Sequence, residues 1–297
     1  MTQEPIPAHV LAPPPAASVA WAAAQFGPNA HVIGAEPLTA SRWHANHVLT
    51  IDHGGSLVRV VLRRWARPGW DIDDPDFDAL REAAALAWLA PTPVAAPELI
   101  SADPGGAHGD APSILMTLLP GNPPLATPED PHRFVTELAR ALVEVHAVPP
   151  GAVPPYRPWH DLRAARPPAW VPQRWHRLWA LVHAGAPAAE ARFIHRDYHH
   201  GNTLWSGDRL TGIVDWTTAS IGSRGVDVAH VRWNLAIAYG PEVAMAFLTA
   251  YGALVPDYRH EAYWDAAQVV DVLDEPVVGE EFARLDRYLT GALMAPG

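Results

Sequence analysis

The sequence predicts an α+β chain in two lobes, a small antiparallel β-rich N-lobe over residues 16–120 and a larger helical C-lobe over 121–297. Three observations predict it. Between residues 31 and 64 lie β-branched segments separated by turn signals. Beyond residue 130 apolar side chains recur at helical spacing. Between the two regimes, Pro120-Gly121 punctuates the chain where the pattern changes. The proline-rich start, MTQEPIPAHVLAPPP, is expected to be a mobile leader over residues 1–15.

Each element follows in order. AASVAWAAAQF (16–26) is a short helix ended by Gly27-Pro28. Strands are expected at 31–38, 47–53 and 57–64, the last two joined across Gly54-Gly55. A loop rich in Pro, Trp and Asp leads to a helix over 80–89, with Asp76 or Asp78 as its cap and Pro91 as its stop. Two more strands are expected at 97–102 and 113–119. In the C-lobe, residues 131–148 set Phe134, Leu138, Ala141, Leu142 and Val145 at helical spacing. A helix over 170–183, the short strands TLW and LTGIVDW, and helix from 225 to the end complete the reading. The chain has no internal repeat.

Composition narrows the function classes. With 297 residues, 49% of them hydrophobic, the chain can bury one large core or two moderate ones. No apolar run approaches the ~20 residues of a membrane helix. The start lacks the basic and apolar stretches of a signal peptide. Cysteine is absent, which removes disulfides and thiolate metal sites and fits a cytoplasmic protein. The net charge of −11 argues against a nucleic-acid partner. All 21 basic residues are arginine, which coding bias explains, so any role usually given to lysine falls to arginine or is lost.

Residues 193–216, FIHRDYHHGNTLWSGDRLTGIVDW, crowd His195, Asp197, His199, His200, Asn202 and Asp215 between apolar runs. One reading is a zinc site built from the histidines. Its spacing is awkward: His199 and His200 are adjacent, no HExxH occurs, and 16 histidines make a local cluster unremarkable in this chain. The other reading is phosphoryl transfer, which needs a carboxylate beside an alcohol and Mg²⁺ bridging phosphates. Magnesium takes oxygen ligands in octahedral geometry, typically one or two carboxylates with substrate oxygens. Asp197, an Asn five residues on, and a strand-borne Asp215 supply that set, with Gly201 letting the loop turn. H-x-D-x-x-x-x-N followed by such an aspartate is the protein-kinase order.

HRDYHHGN with the later IVDW resembles the aminoglycoside phosphotransferase family, whose members share H-x-D-x-H-x-G-N and I-D-W. His200 stands where the family usually has proline. The resemblance runs from about residue 30 to the end and implies a bilobal protein-kinase-like fold. It implies that Asp197 is the catalytic base and that Asn202 and Asp215 bind Mg²⁺. His195 would steady the loop, and Asp227 in GSRGVDVAH would brace it by hydrogen bonds. The donor would be ATP or GTP, and the acceptor a hydroxyl of a small molecule.

The N-lobe extends the comparison. VVLRRW offers Arg63 for the phosphates, on the strand face of Val61, and Glu82 in the next helix as its orienting partner. The phosphate-covering stretch PLTASRWHAN has no glycine, which leaves Thr39, Ser41 and backbone N–H groups. ILMTLLPG resembles the lobe hinge, with backbone of Thr117 and Leu119 meeting the base and Met116 behind it. Residues 257–297 carry a net charge of −6, and Asp271, Asp274 and Glu275 fall at i, i+3 and i+4 of an expected helix. Such a face is usually solvated, but it would also receive a cationic acceptor, as in the family's aminoglycoside-modifying members. Macrolides, choline, homoserine and other small alcohols are acceptors in the same family. A pseudokinase that binds nucleotide or a partner, and a metal-dependent hydrolase, are the alternatives. Nucleotide turnover separates the first, and zinc stabilisation without nucleotide the second.

Overall fold

The computed structural model describes residues 5–294 apart from Ala40, Arg42, residues 70–77, Ala126, Asp274 and Glu275; the side chains of 292–294 also lie outside it. The chain divides into two units. One comprises Met1–Pro91, Ala96–Leu119 and Asp215–Thr218; the other comprises Thr92–Ala95, Pro120–Val214 and Ala219–Gly297. Two short segments depart from a single break near Pro120: Thr92–Ala95 groups with the second unit and Asp215–Thr218 with the first.

In the first unit, part of the segment expected to be a mobile leader is packed. Helix α1 (Ala8–Leu11) has Val10 fully buried, and Ala12 O accepts from Arg64 Nη2 at 3.4 Å. Helix α2 (Ala16–Ala24) precedes strands β1 (His31–Pro37), β2 (Ala45–His53) and β3 (Ser56–Arg64). Helix α3 (Ala79–Leu89) begins where Asp78 Oδ1 accepts the Arg81 amide at 2.6 Å, which resolves the choice of cap; Asp76 lies outside the described residues. Strands β4 (Leu99–Asp103) and β5 (Ser113–Thr117) complete an antiparallel sheet in the order β1-β2-β3-β5-β4. Alternation then divides the side chains between two faces. Leu49, Ile51, Val60, Leu62 and Leu115 form one apolar cluster with Ala22 of α2. In register on the opposite face lie two rows, Val48–Val61–Met116 and Asn46–Arg63–Ile114.

The second unit opens on α4 (Pro131–Ala147). Pro131 sits in its first turn, and Asp130 Oδ1 accepts the His132 and Arg133 amides at 3.0 Å. The expected helix over 170–183 starts later. Pro172 holds an extended backbone, a 3₁₀ turn spans Gln173–Trp175, and α5 (His176–Ala184) follows. Strand β6 (Ala191–Ile194) leads into the loop that carries Asp197, and β7 (Thr203–Ser206) and β8 (Arg209–Ile213) form a hairpin. β8 stops short of Asp215, whose φ of 67° is incompatible with a strand, so that aspartate is not strand-borne. Strand β9 (Ser220–Ser223) pairs antiparallel with β6, a pairing of four-residue segments that the sequence pattern does not announce.

Among the described residues the remaining chain holds four helices, not one continuous helical run. They are α6 (Arg224–Tyr239), α7 (Pro241–Leu254), α8 (Ala262–Val272) and α9 (Gly279–Met294). Gly240, at φ 104°, breaks α6 from α7 where an L side chain would be strained. Gly225 lets α6 approach α8, since a Cβ there would stand 2.3 Å from the Trp264 indole. Helix α8 ends at Val272 with Asp271 in its last turn; of the acidic face expected from the sequence, Asp274 and Glu275 lie outside the described residues. Among the described residues no helix is long and apolar enough to cross a membrane.

Candidate active site

The loop after β6 is fixed from beneath by a buried carboxylate. Asp227, fully buried in the first turn of α6, accepts the His195 amide at 2.8 Å and the Arg196 amide at 2.7 Å. His146 of α4 reaches the same carboxylate at 3.1 Å and the Tyr251 hydroxyl at 2.7 Å. His195 Nε2 contacts Val214 O at 3.0 Å, tying the loop to the end of the β7–β8 hairpin. Arg196 sits at φ 72°, an uncommon conformation for a non-glycine residue, with its guanidinium 3.6 Å from the Trp159 ring centroid. The backbone strain falls next to Asp197, where function would use it.

Asp197 follows, about a third exposed, with both carboxylate oxygens engaged. Oδ2 accepts from Asn202 Nδ2 at 3.0 Å, and Oδ1 lies 2.9 Å from His230 Nε2. Asn202 Nδ2 also donates to Asp197 O at 3.0 Å. Burial opposes the charge on Asp197, but the His230 hydrogen bond and the surrounding histidines outweigh it and hold the carboxyl well below the usual range. His230 Nδ1 faces Gln268 Oε1 at 3.0 Å, while Gln268 Nε2 donates to the Tyr156 hydroxyl at 3.3 Å. With an acceptor oxygen facing each ring nitrogen, the geometry favours the doubly protonated ring. Burial works against that charge, yet the Asp197 contact holds the His230 pKa above its ordinary value.

The other histidines of the loop face separate partners. His199 Nδ1 accepts the Gly201 amide at 3.1 Å, and the His200 ring meets Tyr239 edge-on, 5.0 Å between centroids, where burial pushes its pKa down to about 4. Among the described residues no cluster of three or more His, Cys, Asp or Glu is arranged to hold a metal. Gly201 earns its place by space, since a Cβ would stand 2.7 Å from the His199 ring. Val214 N donates to Asn202 O at 2.9 Å, so Asp215 begins one peptide bond beyond Asn202's backbone partner.

In the first unit, Arg63 Nε stands 3.1 Å from Glu82 Oε2, both side chains being almost fully buried. Arg63 Nη2 also meets Asp215 Oδ1 at 2.6 Å and Thr217 Oγ1 at 3.1 Å. Glu82 in turn accepts from the Trp216 amide at 3.3 Å and the Thr217 hydroxyl at 3.0 Å. The guanidinium fork thus joins the α3 carboxylate to Asp215, two contacts that a single ammonium would make less well. Ser41 Oγ accepts the Trp43 and His44 amides at 3.3 and 3.1 Å, so its oxygen serves its own turn. Met116 is buried in the row with Val48 and Val61. Thr117 N donates to Glu98 O at 3.0 Å and Thr117 Oγ1 accepts from Glu98 N at 2.9 Å, which commits that amide to the chain before β4. Leu119 is half-buried just beyond β5.

Asp271 has a different place from the one the sequence implied. It is buried, its oxygens accepting the Trp159 and His160 amides at 2.9 and 2.8 Å. It pins the bend at Trp159–His160 in the same unit and offers no exposed charge. His230 and Gln268 are the residues the sequence reading missed. His230 lies three positions after Asp227 on one helix, hence on the face that already meets the Asp197 loop, and that spacing was the available signal.

Known proteins resemble this arrangement. A stretch of 115 residues, 37% of this chain, is 27% identical to N-acetylmuramate/N-acetylglucosamine kinase of Caulobacter vibrioides (strain ATCC 19089 / CIP 103742 / CB 15) and spans only 32% of that protein. Among solved structures, macrolide 2′-phosphotransferase MphH of Brachybacterium faecium superposes with a TM-score of 0.57 at 19% identity, covering 94% of this chain and 97% of its own. A thermostable mutant of aminoglycoside phosphotransferase APH(4)-Ia, in ternary complex with ADP and hygromycin B, gives 0.57 at 14% identity, covering 88% and 92%. These likenesses make the fold kinase-like α+β. The model of the phosphotransferase enzyme family matches residues 39–264, and the chain belongs to that family.

Proposed function

We propose that the protein transfers the γ-phosphoryl group of a nucleoside triphosphate, ATP or GTP, to a hydroxyl of a small molecule, with Mg²⁺. The observation that carries this reading is Asp197, an ionised carboxylate held by His230 and Asn202 on a loop that Asp227 braces. Asp197 takes the acceptor's hydroxyl proton as the oxygen attacks phosphorus and the bond to the leaving nucleoside diphosphate breaks. Asn202 spends its amide nitrogen on Asp197, which leaves its Oδ1 as the ligand atom, and Asp215 supplies a carboxylate. This all-oxygen set fits Mg²⁺, which when bound neutralises charge on the phosphates. Arg63, oriented by Glu82, holds the phosphates. Backbone of Ser41 and its turn covers them. The base meets Leu119 and the Thr117 carbonyl, since the Thr117 amide is committed to Glu98, and Met116 lies behind.

The acceptor is a sugar, an antibiotic or another small alcohol, by likeness to relatives that act on such compounds. One observation favours a second reading, a non-catalytic nucleotide binder: Arg63 occupies an oxygen of Asp215, a proposed metal ligand. Turnover decides. Purified protein with Mg-ATP or Mg-GTP and a panel of hydroxyl acceptors should form a phosphorylated product, and Asp197→Asn should slow it by about 10²–10⁴-fold while sparing nucleotide affinity. Nucleotide binding with no product from any acceptor supports the second reading.

A further inference from the structure

Glu82 takes hold of the segment after Asp215 with both of its oxygens. Oε1 accepts the Trp216 amide at 3.3 Å and Oε2 the Thr217 hydroxyl at 3.0 Å. Glu82, Trp216 and Thr217 are all buried. Thr217 Oγ1 thereby lies within 3.1 Å of three charged groups: Glu82 Oε2, Asp215 Oδ1 and Arg63 Nη2. The arginine nitrogen is a donor and both carboxylates are acceptors, but a hydroxyl has one proton. Thr217 therefore accepts from Arg63 and donates to one carboxylate at a time, Glu82 or Asp215. Valine has nearly the same shape without a polar atom and could do neither.

We propose that Thr217 is a positioning residue of the metal site, a hydroxyl that lets Arg63 give up Asp215 to a divalent cation. The inference rests on Asp215 as a ligand of Mg²⁺. Arg63 Nη2 donates to Asp215 Oδ1 at 2.6 Å, so a cation must compete with a guanidinium for that carboxylate. The Arg63 side chain is only 4% exposed, and a buried guanidinium that loses an acceptor costs free energy. Thr217 lowers that cost. Nη2 keeps Thr217 Oγ1 at 3.1 Å, Nε keeps Glu82 Oε2 at 3.1 Å, and the hydroxyl proton turns wholly to Glu82. Asp215, its side chain 36% exposed, is the one of the four groups with open surface, and so the one a cation reaches. The contact that favours a non-catalytic binder is thus one that this cluster can break at little cost.

Calorimetry of ATP binding to the full chain at increasing Mg²⁺ tests this without turnover. Thr217→Val should raise the Mg²⁺ concentration that gives half of the gain in ATP affinity by about 10–100-fold, the usual cost of removing a ligand's hydrogen-bond partner. Thr217→Ser keeps the hydroxyl and should stay close to the wild type. If the valine variant does not fold, Thr217→Ala should show the same rise. An unchanged Mg²⁺ requirement in the variant that lacks the hydroxyl overturns the proposal, even where Tm falls with the metal chelated, because the hydroxyl then supports the fold alone. So does a serine variant as impaired as the valine one, which would assign the effect to the methyl group. Failure of the underlying reading looks different. Asp215→Ala would then keep the wild-type Mg²⁺ dependence, or wild-type ATP affinity would not respond to Mg²⁺, and Thr217 would have no metal ligand to position.

Discussion

At the scale of single residues, one ion pair sets how the proposed base responds to pH. Asp197 carries a depressed pKa and His230 a raised one, each because of the other. A depressed carboxyl stays ionised as pH falls, so kcat/KM should show no acid limb in the ordinary carboxylate range, about pH 4. His230→Gln keeps a hydrogen-bond donor but removes the cation, and the limb should then move up toward that range. An unchanged profile in the variant would mean that His230 does not tune Asp197. The sign for stability runs the other way for the histidine. Its raised pKa makes its contribution complete below about pH 6.5 and lost as pH rises through the folded value. Thermal unfolding of the wild type should therefore weaken at alkaline pH more than that of His230→Gln.

At the scale of elements, α8 shows how a helix can place polar groups without presenting a charged face. Asp265, Gln268 and Asp271 point to Arg232, His230 and the Trp159–His160 backbone respectively, and each group meets its partner. Asp271→Ala removes the acceptor from two part-buried amides and should cost about 0.5–1.5 kcal/mol, measured by urea unfolding. It should not make acceptor KM depend on salt, as loss of an exposed substrate-binding charge would. Asp265→Ala is the harsher change. It strands the buried Arg232 guanidinium, which now has both carboxylate oxygens at 2.6–2.7 Å, and should cost about 3–5 kcal/mol.

At the scale of the whole molecule, ligand linkage is the natural measure. A ligand that binds only the folded state stabilises it by about 2.7 kcal/mol at a hundred times its Kd. Mg-ATP should raise Tm of the wild type accordingly, and chelation of the metal should remove most of that rise. Asp215→Ala should abolish the metal-dependent part more completely than Asn202→Ala, because a carboxylate contributes charge that an amide lacks. Equal Mg-ATP shifts in Asp215→Ala and wild type would remove Asp215 as a ligand. Acid unfolding follows the buried carboxylates. Asp265 is held below the usual range against its burial by His260 and Arg232, so its stabilisation is present above about pH 4 and lost as pH falls further.

The sequence by itself determined the family, the strand-rich first part and the loop with Asp197, because these are written in local signals. β-branched runs, a cap at Asp78 and the H-x-D-x-x-x-x-N spacing act over a few residues and need no partner from afar. Arg63 and Glu82 were also legible, since strand alternation fixed the face of one and position in the next helix suggested the other. What only the tertiary structure decided depends on contacts between distant segments. The β6–β9 pairing joins Ile194 to Ser220, and α8 stops at Val272, one residue after Asp271. Asp271 looks like a solvated acid in sequence because nothing local shows the Trp159 and His160 amides, more than a hundred residues earlier, that claim it. His230 was likewise hidden. A histidine on a helix comes to hold a carboxylate, with its pKa raised, only when folding brings Asp197 and Gln268 to its two nitrogens at once.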